Sequence, residues 1–407
     1  MDMATDPSGA SGSARRPIAM LTHSYYEEDP RVRREAEALA AAGHAVDVFA
    51  LRRPSDPASE TIAGVAVRRL GVQRHQGAGL GVYLAEYLAF FLRAGFALVR
   101  AHPRRRYGLV QVHTLPDFLV FATLPLRMVG VPVILDLHEA MPVFFGSRFH
   151  SRLGGLARAV LGWQERLATR YANAVVTVNE ALGDRLLGLG VPAQKLTIVP
   201  NVPSLARFDT AGSPDRPFMA DGRLVLVYAG GLSPIYELDV VLDAIAVLRA
   251  SRPALPVALE LYGQDFGEVP LRDQAERLGI ADAVTFHGRI PVGDVPAAIA
   301  AADVGLAPTR RTEFTDYSLS TKAYEYAAMD RSVVASRLPL VERTFGDDVV
   351  TYAAGDPADL AAALEAIVDD PAGREARIAR AHARVAALSW EREARAYLDL
   401  VERTMRR

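Results

Sequence analysis

Cysteine is absent from all 407 residues. That excludes a disulfide framework and thiolate-based metal or redox chemistry, and it fits a chain working in a reducing cytoplasm. A surplus of one charge is also lacking. The 46 Lys and Arg residues face 48 Asp and Glu, a net −2, so no basic field points to nucleic acid. Nor is there a clean apolar run of membrane-spanning length. The nearest, Leu80–Val99, carries Glu86 and Arg93, and a charge near the centre of a span is costly. It runs into Arg100 and the cluster Arg104, Arg105 and Arg106. Two readings remain for it: a core helix followed by a solvated basic loop, or an apolar helix making peripheral contact with an anionic membrane face. Met1–Arg16, rich in Ser, Gly, Ala and Asp, has no apolar centre and reads as a flexible tail rather than a signal peptide.

What is present is alternation. Strand-like runs at Ile18–Thr22, Ala45–Leu51, Val65–Leu70, Leu109–His113, Val131–Leu137, Ala174–Val178 and Leu196–Val199 are interleaved with helical patterns at Pro30–Ala42, Pro116–Val129, Leu153–Tyr171 and Glu180–Leu189. A second series follows, with strands at Leu224–Ala229, Val257–Tyr262, Ala283–Phe286, Val304–Ala307, Ser332–Ala335 and Val349–Tyr352. Continuous apolar strands separated by helices imply parallel sheets covered on both faces. Pro200–Gly222, proline-rich and without period, reads as the linker. The expected organisation is a tail over 1–16, a first doubly wound α/β domain over 17–203, a second over 204–389, and a last helix, 390–407, returning to the first. Ligands of such sheets sit at the carboxyl ends of the strands, so the cleft between the domains should hold the chemistry.

The segment EFTDYSLSTKAYEYAAM, Glu313–Met329, is the richest in chemistry. Ser318, Ser320 and Thr321 are N-cap types before a run of helix formers. A helix start offers unpaired N–H groups and about half a positive charge, which favours phosphate. Lys322 in the first turn adds a full charge, and Glu325 can accept from vicinal sugar hydroxyls. Phosphate beside ribose describes a nucleotide; the plainer alternative is a capped amphipathic helix with a solvated Lys and Glu.

Together with DPRVRREAEAL (Asp29–Leu39), Pro200–Val202, VYAGGLSPIYELD (Val227–Asp239) and VTFHGRIP (Val284–Pro291), this segment resembles glycosyltransferase family 4. Those are retaining enzymes of the two-domain GT-B fold, and the resemblance spans Ile18–Val401. It implies that Glu325 binds donor ribose, and that Lys322, with the backbone of Leu319–Thr321, holds the donor diphosphate. Tyr317 takes the place of the family's first motif glutamate, with Asp316 and Glu313 nearby but out of register. The family's glycine-loop Arg and Lys fall on Gly231 and Tyr236, so Gly230 and Gly231 offer only backbone N–H groups. His138 matches the histidine beside the donor sugar, and Glu139 follows it. His113, with Asp117 behind it, is the rival. Gly288 and Arg289 fall where the base is contacted. The loop Ser24–Asp29, made bulky and acidic by Tyr25, Tyr26, Glu27 and Glu28, stands where an acceptor would be sensed. Asp330 stands at a turn position where glycine is common in the family, so either a tolerated left-handed aspartate or a modest local cost is expected.

The implied reaction moves a sugar from a nucleotide-diphosphate donor to the hydroxyl of a glycan, lipid-linked or small-molecule acceptor. No cofactor or metal is expected, since neither an Asp-x-Asp pair nor a histidine or carboxylate cluster stands at ligand spacing. The competing readings are a sugar-nucleotide epimerase on the same architecture, an inverting transferase with a first-domain base, and a non-catalytic binding protein.

Overall fold

Short runs of Val, Leu, Ile and Ala become strands buried on both faces, each apolar side chain so buried contributing roughly 1.5–3 kcal/mol. The computed structural model describes residues 15–75, 79–148, 154–205, 207–208, 216–264 and 267–406. Residues 1–14, most of the expected tail, lie outside the described residues. Arg15, inside the tail drawn from composition, is held to the first domain: its guanidinium donates to the Ala42 carbonyl at 2.8 Å.

The first sheet contains β1 (Ile18–Leu21), β2 (Val46–Leu51), β3 (Ser59–Ile62), β4 (Val65–Leu70), β5 (Leu109–His113), β6 (Val133–Leu137), β7 (Ala174–Thr177) and β8 (Leu196–Ile198). Their order is β3-β4-β2-β1-β5-β6-β7-β8. Only β3 is antiparallel, pairing with β4. Its sequence, SETI, is polar and largely exposed, so no apolar pattern announced it. The second sheet contains β9 (Leu224–Ala229), β10 (Val257–Tyr262), β11 (Val284–Gly288), β12 (Val304–Ala307), β13 (Ser332–Ser336) and β14 (Val350–Tyr352), ordered β11-β10-β9-β12-β13-β14. Chain order reverses between β1 and β5 in one sheet and between β9 and β12 in the other. Those two switch points are where α/β sheets hold ligands.

Several helices depart from the expected pattern, among them Pro339–Phe345, which was not singled out. Asp117–Thr123 winds as 3-10 turns before a short helix, Leu124–Met128, where one helix was expected. Met141–Arg148 forms a helix that the sequence pattern did not single out. Asp330 has φ 54°, in the left-handed region, as its turn position required.

The last helix, Trp390–Met405, lies on the Pro30–Ala41 helix of the first domain. The Arg34 guanidinium stacks on Trp390 at 4.6 Å and donates to the carbonyls of Val202 (2.6 Å) and Pro200 (3.0 Å). One side chain thus ties together both chain crossings between the domains. Deeper in, Tyr397 Oη donates to Gln111 Oε1 (2.7 Å), and Gln111 Nε2 donates to Glu35 Oε2 (2.7 Å), all fully buried.

Burial first, and then the Asp136 charge, push the Glu35 carboxyl upward. The folded chain therefore holds a proton that an unfolded glutamate releases near 4.3. Stability should fall as pH rises from that value toward the raised one. Glu35→Gln should remove this dependence, so its urea midpoint relative to wild type climbs from about pH 5 to about pH 9. Parallel profiles would show that Glu35 is ionised in the folded chain.

Candidate functional site

A cavity of about 730 Å³ opens at the switch point of the first sheet. Its wall begins just past three strand ends: Thr22, His23 and Ser24 after β1, Thr114 and Leu115 after β5, and Glu139 after β6. Ser233, Pro234 and Gly267 close it from the second domain. Asp29 and Arg31 stand at its floor, where Asp29 caps the Pro30–Ala41 helix and holds the Arg31 guanidinium through Nε (3.0 Å) and Nη2 (3.2 Å). Burial alone would raise the Asp29 carboxyl, but Arg31 outweighs it and holds it well below the usual range. Asp29 ends the loop expected on the acceptor side, whereas Arg31 was not among the residues expected at a site.

Of the expected acceptor-side residues, Tyr25 and Glu139 line the cavity and two do not. Tyr26 is fully buried in the core of the first domain, the outcome of a 3-10 turn that points its ring inward. Glu27 forms an ion pair with the buried Arg69, which also binds Glu60. Glu28, the next acid of that loop, lines the cavity and pairs with Arg53 at 2.6 Å. Arg289 reaches Glu28 from the second domain at 3.3 Å, an ion pair across the cleft. Gly288, with φ 70°, gives the backbone that turn and accepts from Gly263 N–H at 2.8 Å.

His138 does not line the cavity; it lies buried between the lining residues Thr114 and Glu139, its backbone N–H donating to Thr114 Oγ1 at 3.3 Å. Its Nε2 is 2.9 Å from Asp136 Oδ2, and His113 Nδ1 is 2.7 Å from the same oxygen. The two imidazoles stack, with centroids 6.2 Å apart. The expectation that no histidines and carboxylates cluster is corrected here, for these three residues bring ligand-type atoms within 4.8 Å of one another. They come from the ends of neighbouring strands, β5 and β6, which linear spacing does not reveal. As placed, the spacings are those of hydrogen bonds, one carboxylate serving two rings. His138 Nδ1 is buried with no hydrogen-bond partner among the described residues. Burial chiefly lowers the His138 pKa, so the ring is neutral near pH 7. Asp117 is fully buried, and burial raises its carboxyl well above the ordinary value.

The second domain supplies the other half. Ser320 stands at the N-cap of the Thr321–Ala328 helix, but its side chain makes no capping bond, leaving the helix start to backbone groups. Lys322, buried at 8 % exposure, runs from this helix onto the loop after β9. A Cβ added to Gly230 would overlap Lys322 Cε and lie 2.8 Å from Nζ, so the glycine makes room for the lysine. Nζ sits over the Tyr236 ring at 4.1 Å and the Tyr228 ring at 5.0 Å. Tyr228 Oη donates to the Gly231 carbonyl at 2.6 Å, fixing that loop. Tyr236, read from sequence as a lost basic residue, is instead a platform for the remaining one. Such a contact is worth about 2 kcal/mol when desolvated.

Glu325, half-buried one turn on, feels Lys322 and Arg207; burial nonetheless holds its carboxyl above the ordinary value. Arg207, from the linker, bonds the Val292 carbonyl at 2.9 Å. Nothing in its sequence context marked it, because linker residues carry no period. Tyr317 turns away to the first domain: its carbonyl accepts from Asn179 Nδ2 at 2.9 Å, and it packs beside Val143 and Leu182. Glu313 pairs with Arg158, and Asp316 with Arg311 at 3.2 Å, so both candidate stand-ins for the missing glutamate have structural partners. Lys322 and Glu325 do not line the large cavity; they belong to the glycine-loop side, and Ser233 and Pro234 stand between the two regions.

The chain thus has two doubly wound sheets, a glycine loop packed under a helix-start lysine in the second domain, and a buried histidine at a strand end of the first. Residues 29–202 match the glycosyl transferase 4-like domain, and residues 223–370 match glycosyl transferases group 1. D-inositol 3-phosphate glycosyltransferase of Geodermatophilus obscurus is 30% identical over 375 residues, covering 87% of this chain and 79% of that one. The chain belongs to glycosyltransferase family 4. Glycogen synthase of Mycobacterium tuberculosis is 29% identical, covering 84% and 83%. Among solved structures, sucrose-phosphate synthase from Thermosynechococcus elongatus superposes with a TM-score of 0.76 at 20% identity, covering 96% and 99%. HepE of Anabaena in complex with UDP-glucose gives 0.72 at 17%, covering 95% and 100%. These likenesses establish the GT-B fold, and membership of family 4 makes the chain a glycosyltransferase.

Proposed function

We propose that this glycosyltransferase takes its sugar from a nucleotide-diphosphate donor and passes it, with retained anomeric configuration, to a hydroxyl held in the large cavity. The observation that carries the reading is the packing of Lys322 across Gly230, beneath a helix start with no side-chain cap. An ammonium held on two aromatic faces beside unpaired N–H groups suits a diphosphate leaving group. HepE, solved with UDP and with UDP-glucose, supports a donor of this class.

The sugar C1–O bond to the β-phosphate breaks, the acceptor oxygen bonds C1 on the same face, and its proton passes to the departing phosphate oxygen. No protein base is required by that course. The leaving charge falls on Lys322 and the helix start, without a metal. His138, fixed by Asp136, presents Nδ1 to a donor-sugar hydroxyl, which would restore the hydrogen bond that atom lacks. The chain works on the cytoplasmic side. Release of nucleoside diphosphate only when an acceptor is present tests the reading; donor turnover without acceptor would favour an epimerase.

Glu325 holds the ribose hydroxyls. Glu325→Ala should weaken donor affinity by roughly tenfold or more, since a charge-assisted bond is worth about 1.5–3 kcal/mol. Titration calorimetry with the folded variant checks this, and an unchanged dissociation constant removes Glu325 from the donor site.

A further inference from the structure

The Leu80–Arg105 helix has one side in the core and another that no described residue covers. Phe90, Ala94 and Leu98 are fully buried in a core cluster of the first domain. Glu86 is held inside, accepting from the His75 backbone N–H at 3.0 Å. The basic cluster expected after the helix is partly absorbed as well: the helix runs on through Pro103, and Arg105 turns inward onto the buried Asp47 with two bonds of 2.8 Å. Along the opposite side, Leu84, Leu88, Leu92 and Phe96 follow one another at helical spacing with exposures of 54, 54, 60 and 70%. Only 22% of the apolar window in this helix is buried, against the mostly buried state of an interior helix. Buried Glu86 and the Arg105–Asp47 pair root the helix in the domain, so it does not cross a bilayer.

We propose that this face docks on an anionic lipid surface and that the acceptor is an amphiphile presented from that surface. Two observations choose the occupant. The exposed charged side chains of the helix are arginines, Arg93, Arg100 and Arg104, with Arg106 at its cap, and the only acidic residue is the buried Glu86. An isologous dimer through this face would bring the arginines of both copies to one seam with no exposed acid on the helix to pair them, whereas anionic headgroups complement them. The exposed face is also continuous with the cavity wall. Leu84 belongs to both, and Tyr83, Tyr87, Phe118, Phe144 and Leu161 make that side of the cavity apolar and aromatic. An acyl or prenyl chain could leave the cavity along this wall while its polar head stays near Asp29, Arg31 and Glu139. The acceptor part of the inference rests on the sugar-transfer reading; the docking part does not.

Flotation of the full chain with phosphatidylglycerol vesicles and with phosphatidylcholine vesicles tests it. The wild type should float with the first and much less with the second. Leu88→Glu, Leu92→Glu and Phe96→Glu combined should keep the protein in the aqueous fraction while its nucleoside diphosphate affinity stays unchanged. Arg100→Gln with Arg104→Gln, a milder pair, should lower partitioning by about 30-fold, roughly fivefold per arginine. Acceptor activity should go with lipid-linked alcohols carried in the vesicles rather than with water-soluble sugars. A wild type that stays aqueous, a triple variant that floats undiminished, or a dimer that the triple variant dissociates would each overturn the docking. Full activity on water-soluble sugars would overturn the acceptor class. Failure of the wild type to bind any nucleoside diphosphate would instead count against sugar transfer, leaving the flotation result to stand on its own.

Discussion

Lys322→Ala should lower kcat by about 10²–10³ at saturating donor, the cost of removing one preorganised charge from a developing anion. The effect should exceed the loss in donor binding, because charge on the β-phosphate grows as the glycosidic bond breaks. The structure sharpens this expectation. Gly231 and Tyr236 hold the two positions where the family resemblance led a basic pair to be expected, and both Tyr228 and Tyr236 turn their rings to the Lys322 ammonium. Lys322→Arg should rescue only in part, since a planar fork does not fit the space that Gly230 leaves for a compact ammonium. Single-turnover kinetics separate the chemical step from binding. Near-normal kcat in Lys322→Ala would mean that the diphosphate is held elsewhere.

Asp136→Asn should be the most destabilising single change in the first-domain half of the site, costing about 3–5 kcal/mol as expected for breaking a buried charged network. Asp136 is fully buried and serves His113 and His138 through one oxygen. Burial opposes its charge, yet the two histidines outweigh burial and hold its carboxyl well below the ordinary value. A depressed carboxyl contributes stability that is complete above the unfolded value, near 3.9, and is lost as pH falls through the folded one. Wild type should therefore show an acid limb in urea midpoint that the Asn variant lacks. Donor turnover should fall as well, because the ring of His138 loses the partner that sets its tautomer. Equal acid limbs in the two proteins would show that Asp136 is not ionised in the fold.

Much of the architecture was legible because parallel strands buried on both faces leave unmistakable apolar runs, and β1, β2, β5, β9 and β12 fell where those runs lie. The edge strand β3 was not legible, since SETI is exposed and pairs only on one side. Lys322 and Glu325 could be set at a helix start because caps and helix formers mark it locally, whereas His138 was singled out through the family resemblance. The loop Ser24–Asp29 shows the limit. Four bulky or acidic residues in a row suggested one surface, and a single 3-10 turn sends Tyr26 into the core, Glu27 to Arg69, and Tyr25 and Glu28 to the cavity. Contacts made across the fold carry no local signal. The convergence of His113, Asp136 and His138 and the approach of Arg207 to Glu325 are of that kind.

The central claim is that a nucleoside diphosphate sits between the glycine loop and the Lys322 helix. Thermal unfolding of wild type and Lys322→Ala with UDP, GDP, ADP and TDP in turn tests it most directly. A ligand that binds only the folded chain stabilises it by about 2.7 kcal/mol at one hundred times its dissociation constant. At least one of the four should raise the wild-type Tm at such excess, and that rise should largely vanish in Lys322→Ala. No rise with any of them, or equal rises in both proteins, would contradict the account.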